Sequence, residues 1–498
     1  MPEILRFAQH YVGRQEMHTR RLFGTSGIRG VVDGNSSDFY RQVALAIGTT
    51  LPQASTVCIA TDTRLSRDVV KEAVNSGLLS CGINIADLGI LPTPALALLT
   101  RESGFAAGIM VTASHNPPEF NGIKLFTRDS LGYSRGEEEE IENLFFGKQI
   151  RRVGMGKQSH EVGMEQSCGG GMGRQFREGK RGALQWAEGM KERYFSFING
   201  KFSPSQFNRG RKIVIDPGNG AASGFASDIF TQMGLNVIRI NDEPDGLFPG
   251  RGPEPREDTL QGTVDFLRQH DADLAVCFDG DADRVVFCDK EGFLGFNEPV
   301  AFISRLVVKN TGKRKIATTV ETGTLLDLAV KDLGGEVVRG RVGDVAVAHL
   351  ARELDAALGV EQVGVYIIPE AGYYPDSIFA TLFLLSQITD AGEIRQFLQE
   401  IPRLFFEKAK LSCPDDLKEP VMTQAKERVH LLAPEGTPVN LNTLDGLRLE
   451  LSDAWMLIRA SGTEPAIRVI SESASRTGTD ELICKGKELV QGLVEASR

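Results

Sequence analysis

The chain has 498 residues, a formal net charge of -10 and an apolar share of 41%. This length is too great for a single hydrophobic core, so we expect several domains. The negative charge argues against a nucleic-acid or membrane partner, although a local cluster of arginines can still bind a phosphate. The seven cysteines form no Cys-x-x-Cys pair, which indicates reduced thiols in a cytoplasmic protein. No feature of the sequence fixes the oligomeric state.

The first residues carry charges throughout and lack the apolar core of a signal peptide. Residues 1–19 therefore predict at most a short amphipathic helix, and Met17 is an alternative start because the patterned sequence begins only at Arg21. A glycine-rich turn follows between Arg21 and Gly30. Its Arg29 stands between an apolar residue and a glycine, where a cation can project into a cleft.

A strand–loop–helix–strand pattern occurs three times along the chain. Its first strands are predicted at 56–60, 212–215 and 315–320. Each is followed by a polar loop, a helix-like stretch and a second strand, with a glycine that suits the end of the helix at Gly82, Gly234 and Gly335. Three copies indicate three related α/β domains, each with a mixed sheet under helices.

The predicted domains span residues 1–150, 184–298 and 299–400, and a smaller α+β domain spans 401–498. Residues 151–183 are rich in glycine and charge, so we predict a flexible linker or insertion there. A helix is predicted over 184–198, leading into the second domain.

One near-match leaves a different function open. Gly218, Gly220 and Gly224 follow a strand in a pattern that approaches a dinucleotide-binding fingerprint, but the third glycine comes one place late. We interpret this stretch as an ordinary strand-to-helix turn. A nucleotide-dependent oxidoreductase stays as an unfavoured alternative.

The most distinctive stretch runs from Thr112 to Lys124, after a short apolar strand at 108–111. Two prolines end the strand, so Ser114 lies on a tight loop at a strand end, where α/β proteins keep their chemistry. A serine hydroxyl is a poor nucleophile unless a base, a metal or a covalent phosphate changes it. His115 and Lys124 supply polar and cationic neighbours.

A second polar loop follows the apolar strand at 274–278. It reads Asp279-Gly280-Asp281-Ala282-Asp283-Arg284. Alternate residues of an extended segment point to one side, so the three carboxylates are expected together. Crowded carboxylates repel one another unless a cation neutralises them, and a hard divalent ion takes oxygen ligands. The other ligands of an EF-hand loop are missing, so the stretch predicts a divalent-metal site of another kind.

A third motif lies in the C-terminal domain. It combines two hydroxyls, a glycine amide and two arginines, which together suit an anion. The residues are Arg459, Ser461, Gly462, Thr463 and Arg468.

These motifs, in this order, resemble those of the α-D-phosphohexomutase family, whose members move a phosphate between the 1 and 6 positions of a hexose. The resemblance implies three related mixed-sheet α/β domains and a smaller C-terminal α+β domain, arranged around a central active-site cleft. It implies that Ser114 carries a phosphate. It also implies that Asp279, Asp281 and Asp283 bind Mg²⁺ together with a phosphoserine oxygen.

The same resemblance implies roles for the neighbouring groups. Candidates for proton transfer and charge stabilisation are Arg29, His115, Lys124 and Arg284, beside the phosphate-carrying Ser114. A bisphosphate intermediate would reorient between two half-reactions. The 459–463 loop would hold whichever phosphate is not reacting.

The third domain departs from the family pattern. Gly343 and Asp344 resemble the loop before the sugar site, and Glu361 and Gly364 are retained in the position of the sugar-selecting loop. Val363 stands where the family carries a polar side chain, so it offers no hydrogen bond to a sugar hydroxyl. Such a loss relaxes specificity or weakens binding.

The resemblance implies a hexose phosphate substrate. The Glu361-Gln362 pair favours phosphoglucosamine mutase activity, while phosphomannomutase and phosphoglucomutase activities stay open. A catalytically impaired sugar-phosphate binding protein is a further alternative, because Val363 and Pro375 both depart from the family pattern.

Overall fold

A computed structural model describes residues 21–151, 181–208, 210–433, 439–462 and 464–497. The predictions for residues 1–19, for Met17 as a start and for most of 151–183 lie outside these ranges. Within them, no helix is long and apolar enough to cross a membrane.

The first sheet contains the strands Ile28–Val31 (β1), Thr56–Thr61 (β2), Asn84–Ile90 (β3), Ala107–Val111 (β4), Phe120–Thr127 (β5) and Leu184–Trp186 (β6). They lie in the order β1-β5-β4-β2-β3-β6, with β2, β3, β4 and β6 parallel and β1 and β5 antiparallel to their neighbours. Its helices are Ser36–Thr50 (α1), Arg67–Ser80 (α2), Thr93–Glu102 (α3) and Arg135–Gly147 (α4). Strand β4 is buried throughout, as expected of an apolar run covered on both faces.

The prediction of a helix over 184–198 is wrong for its first residues. Residues 184–186 form strand β6, which pairs in parallel with β3, and the helix begins only at Met190. Strand β3 would otherwise be an edge with unpaired amides and carbonyls, and this short strand satisfies them. Gly189, with φ of +72°, then separates the strand from the helix.

The second sheet contains the strands Lys212–Asp216 (β7), Asn236–Arg239 (β8), Leu274–Phe278 (β9), Val285–Asp289 (β10) and Gly292–Phe293 (β11), in the order β11-β10-β9-β7-β8. Its helices are Met190–Lys201 (α5), Phe225–Gln232 (α6) and Gln261–Gln269 (α7), with a 3₁₀ turn at Pro204–Gln206. Strands β7, β8 and β9 are parallel, and β10 and β11 are antiparallel to their neighbours.

The third sheet contains the strands Lys315–Thr319 (β12), Glu336–Gly340 (β13), Leu358–Glu361 (β14) and Val365–Ile367 (β15), in the order β13-β12-β14-β15. Strands β12, β13 and β14 are parallel, and β15 is antiparallel to β14. Its helices are Asn297–Thr311 (α8), Leu325–Lys331 (α9), Asp344–Glu353 (α10), Ser377–Gln387 (α11) and Gly392–Glu400 (α12).

The fourth sheet is antiparallel throughout and belongs to the C-terminal α+β region, as predicted. Its strands are Phe405–Ser412 (β16), Asn440–Asn442 (β17), Leu447–Glu450 (β18), Ala454–Ala460 (β19) and Ala466–Ser473 (β20), in the order β16-β20-β19-β18-β17. Its helices are Asp415–Arg428 (α13) and Arg476–Ala496 (α14), with a 3₁₀ turn at Val429–Leu432.

The three mixed sheets place their polar loops alike. In each, a central strand is flanked by two parallel strands, and one of these (β4, β9 or β14) turns into an antiparallel partner. The Ser114 loop, the Asp279 loop and the Glu361 loop occupy this same turn in successive sheets. The predicted repeat therefore corresponds to a structural repeat, and it puts the chemistry-bearing loops at equivalent points.

One hydrophobic core connects the first three sheets, and it includes Cys58, Ala86 and Met110 of the first sheet. A contiguous set of buried side chains joins α3 and α5 to the strands of the second sheet and continues to α11 of the third. Most residues of helix α11 are buried, with Phe379 and Leu382 fully so, and its exposed end is the polar Gln387. This packing fixes the Asp279 loop relative to the Glu361 loop.

Candidate active site and metal centre

Ser114 lies on the loop that follows strand β4. It is fully buried and has a φ of +52°, a left-handed conformation that a residue with a side chain adopts at a cost of about 1–2 kcal/mol. The loop is tied to the sheet below it, because the Ser114 amide donates to Thr112 Oγ1 at 2.8 Å and that hydroxyl donates to Asp62 Oδ2 at 2.7 Å. The strained serine is therefore held by the carboxyl end of the neighbouring strand β2.

Arg64 clamps the same loop from below. Its guanidinium is fully buried, and its Nε donates to Asp62 Oδ2 at 3.0 Å. The other nitrogens donate to four loop carbonyls, those of Ser114 at 2.8 Å, Asn116 at 2.6 Å, Pro117 at 2.5 Å and Phe120 at 2.8 Å. Buried carbonyls require such partners, and one arginine supplies all of them here.

Sequence reasoning missed this clamp. The polar stretch 61–64 was predicted only as the loop that ends strand β2. The available signal was its position, because the carboxyl ends of adjacent parallel strands meet at one edge of a sheet.

The three aspartates of the second polar loop converge. Asp279, Asp281 and Asp283 each offer a carboxylate oxygen, and these oxygens lie within 4.8 Å of one another. The predicted convergence is present, but the expected extended geometry is wrong, because the segment is a turn in which Ala282 has a φ of +58°. The turn, and not the alternation of a strand, brings the carboxylates together.

The donor set fits a hard divalent cation. All of the ligand atoms are carboxylate oxygens, the type that Mg²⁺ and Ca²⁺ prefer. Asp281 Oδ1 and Asp283 Oδ1 are buried and have no hydrogen-bond partner among the described residues. Orphaned buried carboxylate oxygens are costly, so an ion that coordinates them removes the penalty.

Ser114 meets this centre directly. Its Oγ donates to Asp279 Oδ2 at 2.7 Å, across the junction between the first and second sheets. Burial, reinforced by the neighbouring charges of Asp283 and Asp281, raises the pKa of Asp279 well above its usual range. A second contact across the junction comes from Thr93, whose Oγ1 donates to Asp281 Oδ2 at 2.6 Å.

Lys124 balances the acidic loop. Its Nζ lies 2.7 Å from Asp281 Oδ2 and 2.5 Å from Asp283 Oδ2. Burial lowers the pKa of Lys124, but the two carboxylates outweigh it, so the net pKa is raised. The ammonium therefore stays charged and acts as a fixed cation beside Ser114.

His115 also lies next to the serine hydroxyl. Its Nδ1 is 3.3 Å from Ser114 Oγ. The positive charge of Arg284, followed by burial and the charges of Arg29 and Lys124, lowers the pKa of His115 far below its usual range. The imidazole is therefore neutral, and a neutral ring nitrogen can accept a proton or a hydrogen bond.

Arg29 and Arg284 bring two more positive charges to the serine loop. Arg29 Nη1 donates to Asn116 Oδ1 at 3.3 Å, and Arg284 Nε lies 3.9 Å from Asp283 Oδ1. The Nε atoms of both arginines are buried without a hydrogen-bond partner in the described part of the chain. Unused guanidinium donors beside a serine hydroxyl suit an anion such as a phosphate.

The predicted sugar-side residues come from the third sheet. Glu361 Oε1 accepts from the Gly343 amide at 2.9 Å, and Asp344 Oδ2 accepts from Ser26 Oγ at 3.3 Å. Burial, together with the charge of Asp344, raises the pKa of Glu361 to about 7. Val363, beside them, is 40% exposed.

Gly364 has a packing role in this region. Its carbonyl accepts from the Val285 amide at 2.9 Å, and a Cβ on Gly364 would come within 2.3 Å of the Val285 carbonyl oxygen. The sugar-side turn therefore lies directly against strand β10, immediately after the aspartate loop.

The predicted phosphate loop is the turn between β19 and β20. Arg459 Nε donates to Asp445 Oδ1 at 3.0 Å, and Arg468 Nη2 donates to Glu464 Oε2 at 3.4 Å. Ser461 is buried and Gly462 is exposed, while Thr463 lies outside the described residues.

Lys418, on helix α13, supports this turn. Its Nζ donates to the carbonyls of Ser461 at 2.7 Å and Glu464 at 2.5 Å. Sequence reasoning missed it, and no signal in the motif marks a lysine so far away in the chain.

Comparisons with known proteins agree along the whole chain. Family models for phosphoglucomutase/phosphomannomutase match residues 20–152 (alpha/beta/alpha domain I), 192–292 (domain II), 297–405 (domain III) and 414–483 (C-terminal domain). The phosphoglucosamine mutase of Methanocaldococcus jannaschii is 36% identical over 485 residues, which cover 96% of this chain and 99% of that protein. A Pyrococcus horikoshii protein named "Probable phosphoglucosamine mutase" is 35% identical over 477 residues, covering 95% and 99%.

Solved structures show the same fold. A phosphoglucomutase/phosphomannomutase family protein from Burkholderia thailandensis superimposes with a TM-score of 0.78 at 23% identity, covering 96% of this chain and 98% of that chain. Parafusin, a phosphoglucomutase from Paramecium crystallised in an open form, gives a TM-score of 0.70 at 18% identity, covering 96% and 95%.

Proposed function

Because the chain belongs to the phosphoglucomutase/phosphomannomutase family, we propose that it interconverts glucosamine 1-phosphate and glucosamine 6-phosphate through a phosphoserine at Ser114. The enzyme is a phosphohexose mutase, an isomerase that acts as an intramolecular phosphotransferase. The amino sugar follows from relatives at about 35% identity over nearly the whole chain, which are named phosphoglucosamine mutases.

One observation carries the proposal. Ser114 Oγ lies 2.7 Å from Asp279 Oδ2, at the edge of a buried group of three aspartates. A nucleophilic hydroxyl beside a cation site is the arrangement that phosphoryl transfer needs, since that reaction depends mainly on positioning and on neutralising charge.

The chain's own groups have separate tasks in this reaction. Asp279, Asp281 and Asp283 would hold Mg²⁺, which when bound neutralises negative charge on the phosphate of Ser114. Arg29 and Arg284 offer buried donors to the phosphate oxygens. The phosphoryl group would leave Ser114 Oγ for the oxygen of a sugar hydroxyl, and the proton of that hydroxyl would pass to Ser114 Oγ, which becomes a free hydroxyl. The resulting bisphosphate would turn, and its other phosphate would be transferred to Ser114 Oγ as the serine proton passes to the sugar oxygen that is released.

His115 is the proposed proton acceptor near the serine. Its ring is neutral and its Nδ1 lies 3.3 Å from Ser114 Oγ, so it can take the hydroxyl proton when the serine is rephosphorylated. Lys124 is ion-paired with two aspartates, and its raised pKa favours a role as a fixed charge.

The charges on the sugar side are compatible with an amino sugar. Burial first, and then the charge of Asp344, raise the pKa of Glu361, and a cationic C2 substituent would reduce the part that comes from repulsion between the two carboxylates. The phosphate that is not reacting would be held by the phosphate loop, whose residues are Arg459, Ser461, Gly462, Thr463 and Arg468.

Two alternatives are favoured by particular residues. Val363 offers no hydrogen bond to a sugar, which is compatible with a broader phosphomannomutase or phosphoglucomutase activity. The same valine, with Pro375, favours an impaired sugar-phosphate binding protein.

The domain limits at 150, 183, 298 and 400, and the cytoplasmic location, stay predictions.

A substrate panel tests the proposal. Glucosamine 1-phosphate should give the highest kcat/KM among the 1-phosphates of glucosamine, mannose and glucose. Mass spectrometry should find a phosphate on Ser114, and Ser114→Ala should lose it together with at least about a thousandfold of kcat, since the covalent intermediate is gone. Comparable rates with mannose 1-phosphate would favour the broader mutase, and full activity in Ser114→Ala would exclude the mechanism.

A further inference from the structure

Glu321 lies between the third and fourth sheets, on the turn that follows strand β12. Its Oε1 accepts from Arg459 Nη1 at 3.3 Å and lies 3.9 Å from Arg468 Nη1. Its Oε2 accepts from Lys408 Nζ at 3.1 Å. The side chain of Glu321 is only 14% exposed. One carboxylate of the third sheet therefore pairs with both arginines proposed to bind the distal phosphate.

The two arginines have further partners in the C-terminal region. Arg459 also donates to Asp445, and Arg468 also donates to Glu464. Glu464 is itself paired with Lys410 at 2.7 Å. Among the carboxylates of the described residues, Glu321 is the one paired with both arginines. Both guanidinium groups approach the same oxygen of Glu321, Oε1, in the way that two arginines can share one oxygen of a bound phosphate.

Glu321 is also connected to the sugar side. With its amide oriented to satisfy both neighbours, Gln362 donates to the Glu321 carbonyl at 3.0 Å and accepts from the Gly323 amide at 2.7 Å. Asp445, the other partner of Arg459, accepts from the Val342 amide at 2.9 Å, next to Gly343. Glu321 and Asp445 therefore contact both the arginine pair and the sugar-side loops.

We propose that Glu321 is the internal counter-ion of the phosphate loop, which occupies the two arginines in the free enzyme and yields to the distal phosphate of the substrate. This inference rests on the proposed function, because it takes Arg459 and Arg468 as phosphate ligands. Glu321 does not touch the substrate in this scheme and is a positioning residue.

The exchange has a mechanistic reason. The bisphosphate intermediate must let go of the phosphate loop, turn and bind again with its other phosphate. Without Glu321 the two arginines would each keep one carboxylate partner and would hold either phosphate of the intermediate more tightly, and such uniform binding does not accelerate turnover. A resident carboxylate lowers the affinity and leaves the loop paired while the intermediate is detached.

The test is the affinity for inorganic phosphate, measured by titration calorimetry on the full-length protein. Glu321→Gln keeps the shape and removes the charge, so it should bind phosphate about fivefold more tightly than the wild type, as expected for the loss of one partly buried ion pair. KM for the hexose phosphate should fall by a similar factor, and kcat should fall because products leave more slowly. Glu321→Asp, which retains the charge, should stay near the wild type.

The matched control is Glu450→Gln, which removes a carboxylate of the fourth sheet that pairs with Arg448 at 3.0 Å and not with the arginines of the phosphate loop. Its phosphate affinity should be unchanged. In an Arg459→Met background, which removes the nearer of the two arginines (3.3 Å against 3.9 Å), the gain from Glu321→Gln should disappear. If the gain persists there, or if a normally folded Glu321→Gln binds phosphate equally or less well, the proposal is overturned.

Two further outcomes distinguish a failure of the proposed function from a failure of the counter-ion role of Glu321. A wild-type protein without mutase activity would contradict the proposed function. An active enzyme whose phosphate affinity is the same with and without the Glu321 carboxylate would contradict only the counter-ion proposal. If Glu321→Gln does not fold, Glu321→Ala provides the same prediction, because it also leaves the arginines without their shared carboxylate.

Discussion

The loop that carries Ser114 and the loop that carries Arg459 are both held by ion pairs, but the two sets of ion pairs differ in kind. Arg64 and Asp62 lie under the serine with no exposed side-chain surface, and their hydrogen bonds go to groups of the first sheet. Arg459 is held by Asp445 and Glu321, whose side chains are 23% and 14% exposed and belong to separate loops. The Ser114 loop, which is the reacting end of the site, is therefore preorganised. The Arg459 loop, which is the phosphate-binding end, is held by carboxylates that a phosphate ligand can replace.

Removing the metal should have the largest effect, and it should act on the Ser114 loop without affecting phosphate binding at the Arg459 loop. Exhaustive chelation should reduce turnover by at least about a hundredfold, because the phosphate on Ser114 would lose its main source of charge neutralisation. Binding of inorganic phosphate at the Arg459 loop should persist, since that loop contains no metal ligand among its described residues. Turnover is measured before and after Mg²⁺ is restored. Undiminished turnover in the chelated enzyme would exclude the metal role.

Arg64→Lys should damage only the reacting end. A lysine cannot serve the four carbonyls and Asp62 at once, so buried acceptors lose their partners at a cost of about 1–3 kcal/mol each. We expect kcat to fall about 10- to 100-fold, with less phosphate on Ser114 and unchanged phosphate affinity at the Arg459 loop. Arg67→Lys is the control, because Arg67 donates to the nearby carbonyls of Thr63 and Arg64 and pairs with Asp68 at 3.8 Å, all outside the serine loop. Equal losses in both variants would contradict the clamp.

A smaller effect is expected at Glu361, which lies between the two ends. Its pKa is raised from the usual 4.5 to about 7, so the folded state disfavours ionisation. The stability that the protonated form contributes is complete below pH 4.5 and is lost as the pH rises to 7. The side chain at position 361 in Glu361→Gln cannot ionise. Between pH 4.5 and pH 7 the free energy of unfolding of this variant should therefore increase relative to that of the wild type, by up to about 3 kcal/mol.

Denaturant titrations between pH 4.5 and pH 8 measure this difference. The gain should level off above pH 7, and the phosphate affinity of the Arg459 loop should follow the wild type throughout. A stability difference that does not change with pH would show that Glu361 ionises normally.

The sequence predicted the features that depend on local pattern. Apolar runs that end in polar loops located β4 and β9, and the three aspartates after β9 do converge. The four-domain α/β architecture is confirmed as well. These features are encoded within short stretches, where periodicity and turn-forming residues leave few options.

What the sequence did not predict depends on contacts between distant stretches. Arg64, Lys418 and Glu321 act on loops that lie 50, 43 and 138 residues away. Strand β6 forms because β3 has a free edge, and its own three residues carry too little pattern to indicate a strand. Such partners emerge only when the sheets are placed against one another.

The close approach of Gly364 to Val285 has a practical consequence for redesign. Residue 363 is 40% exposed, so a library at that position can search for new sugar preferences without disturbing its neighbours. Any side chain at 364 would strike the backbone that leads out of the aspartate loop, 2.3 Å away. Attempts to alter selectivity should therefore vary residue 363 and keep Gly364, because a side chain at 364 would displace the strand that leads out of the aspartate loop.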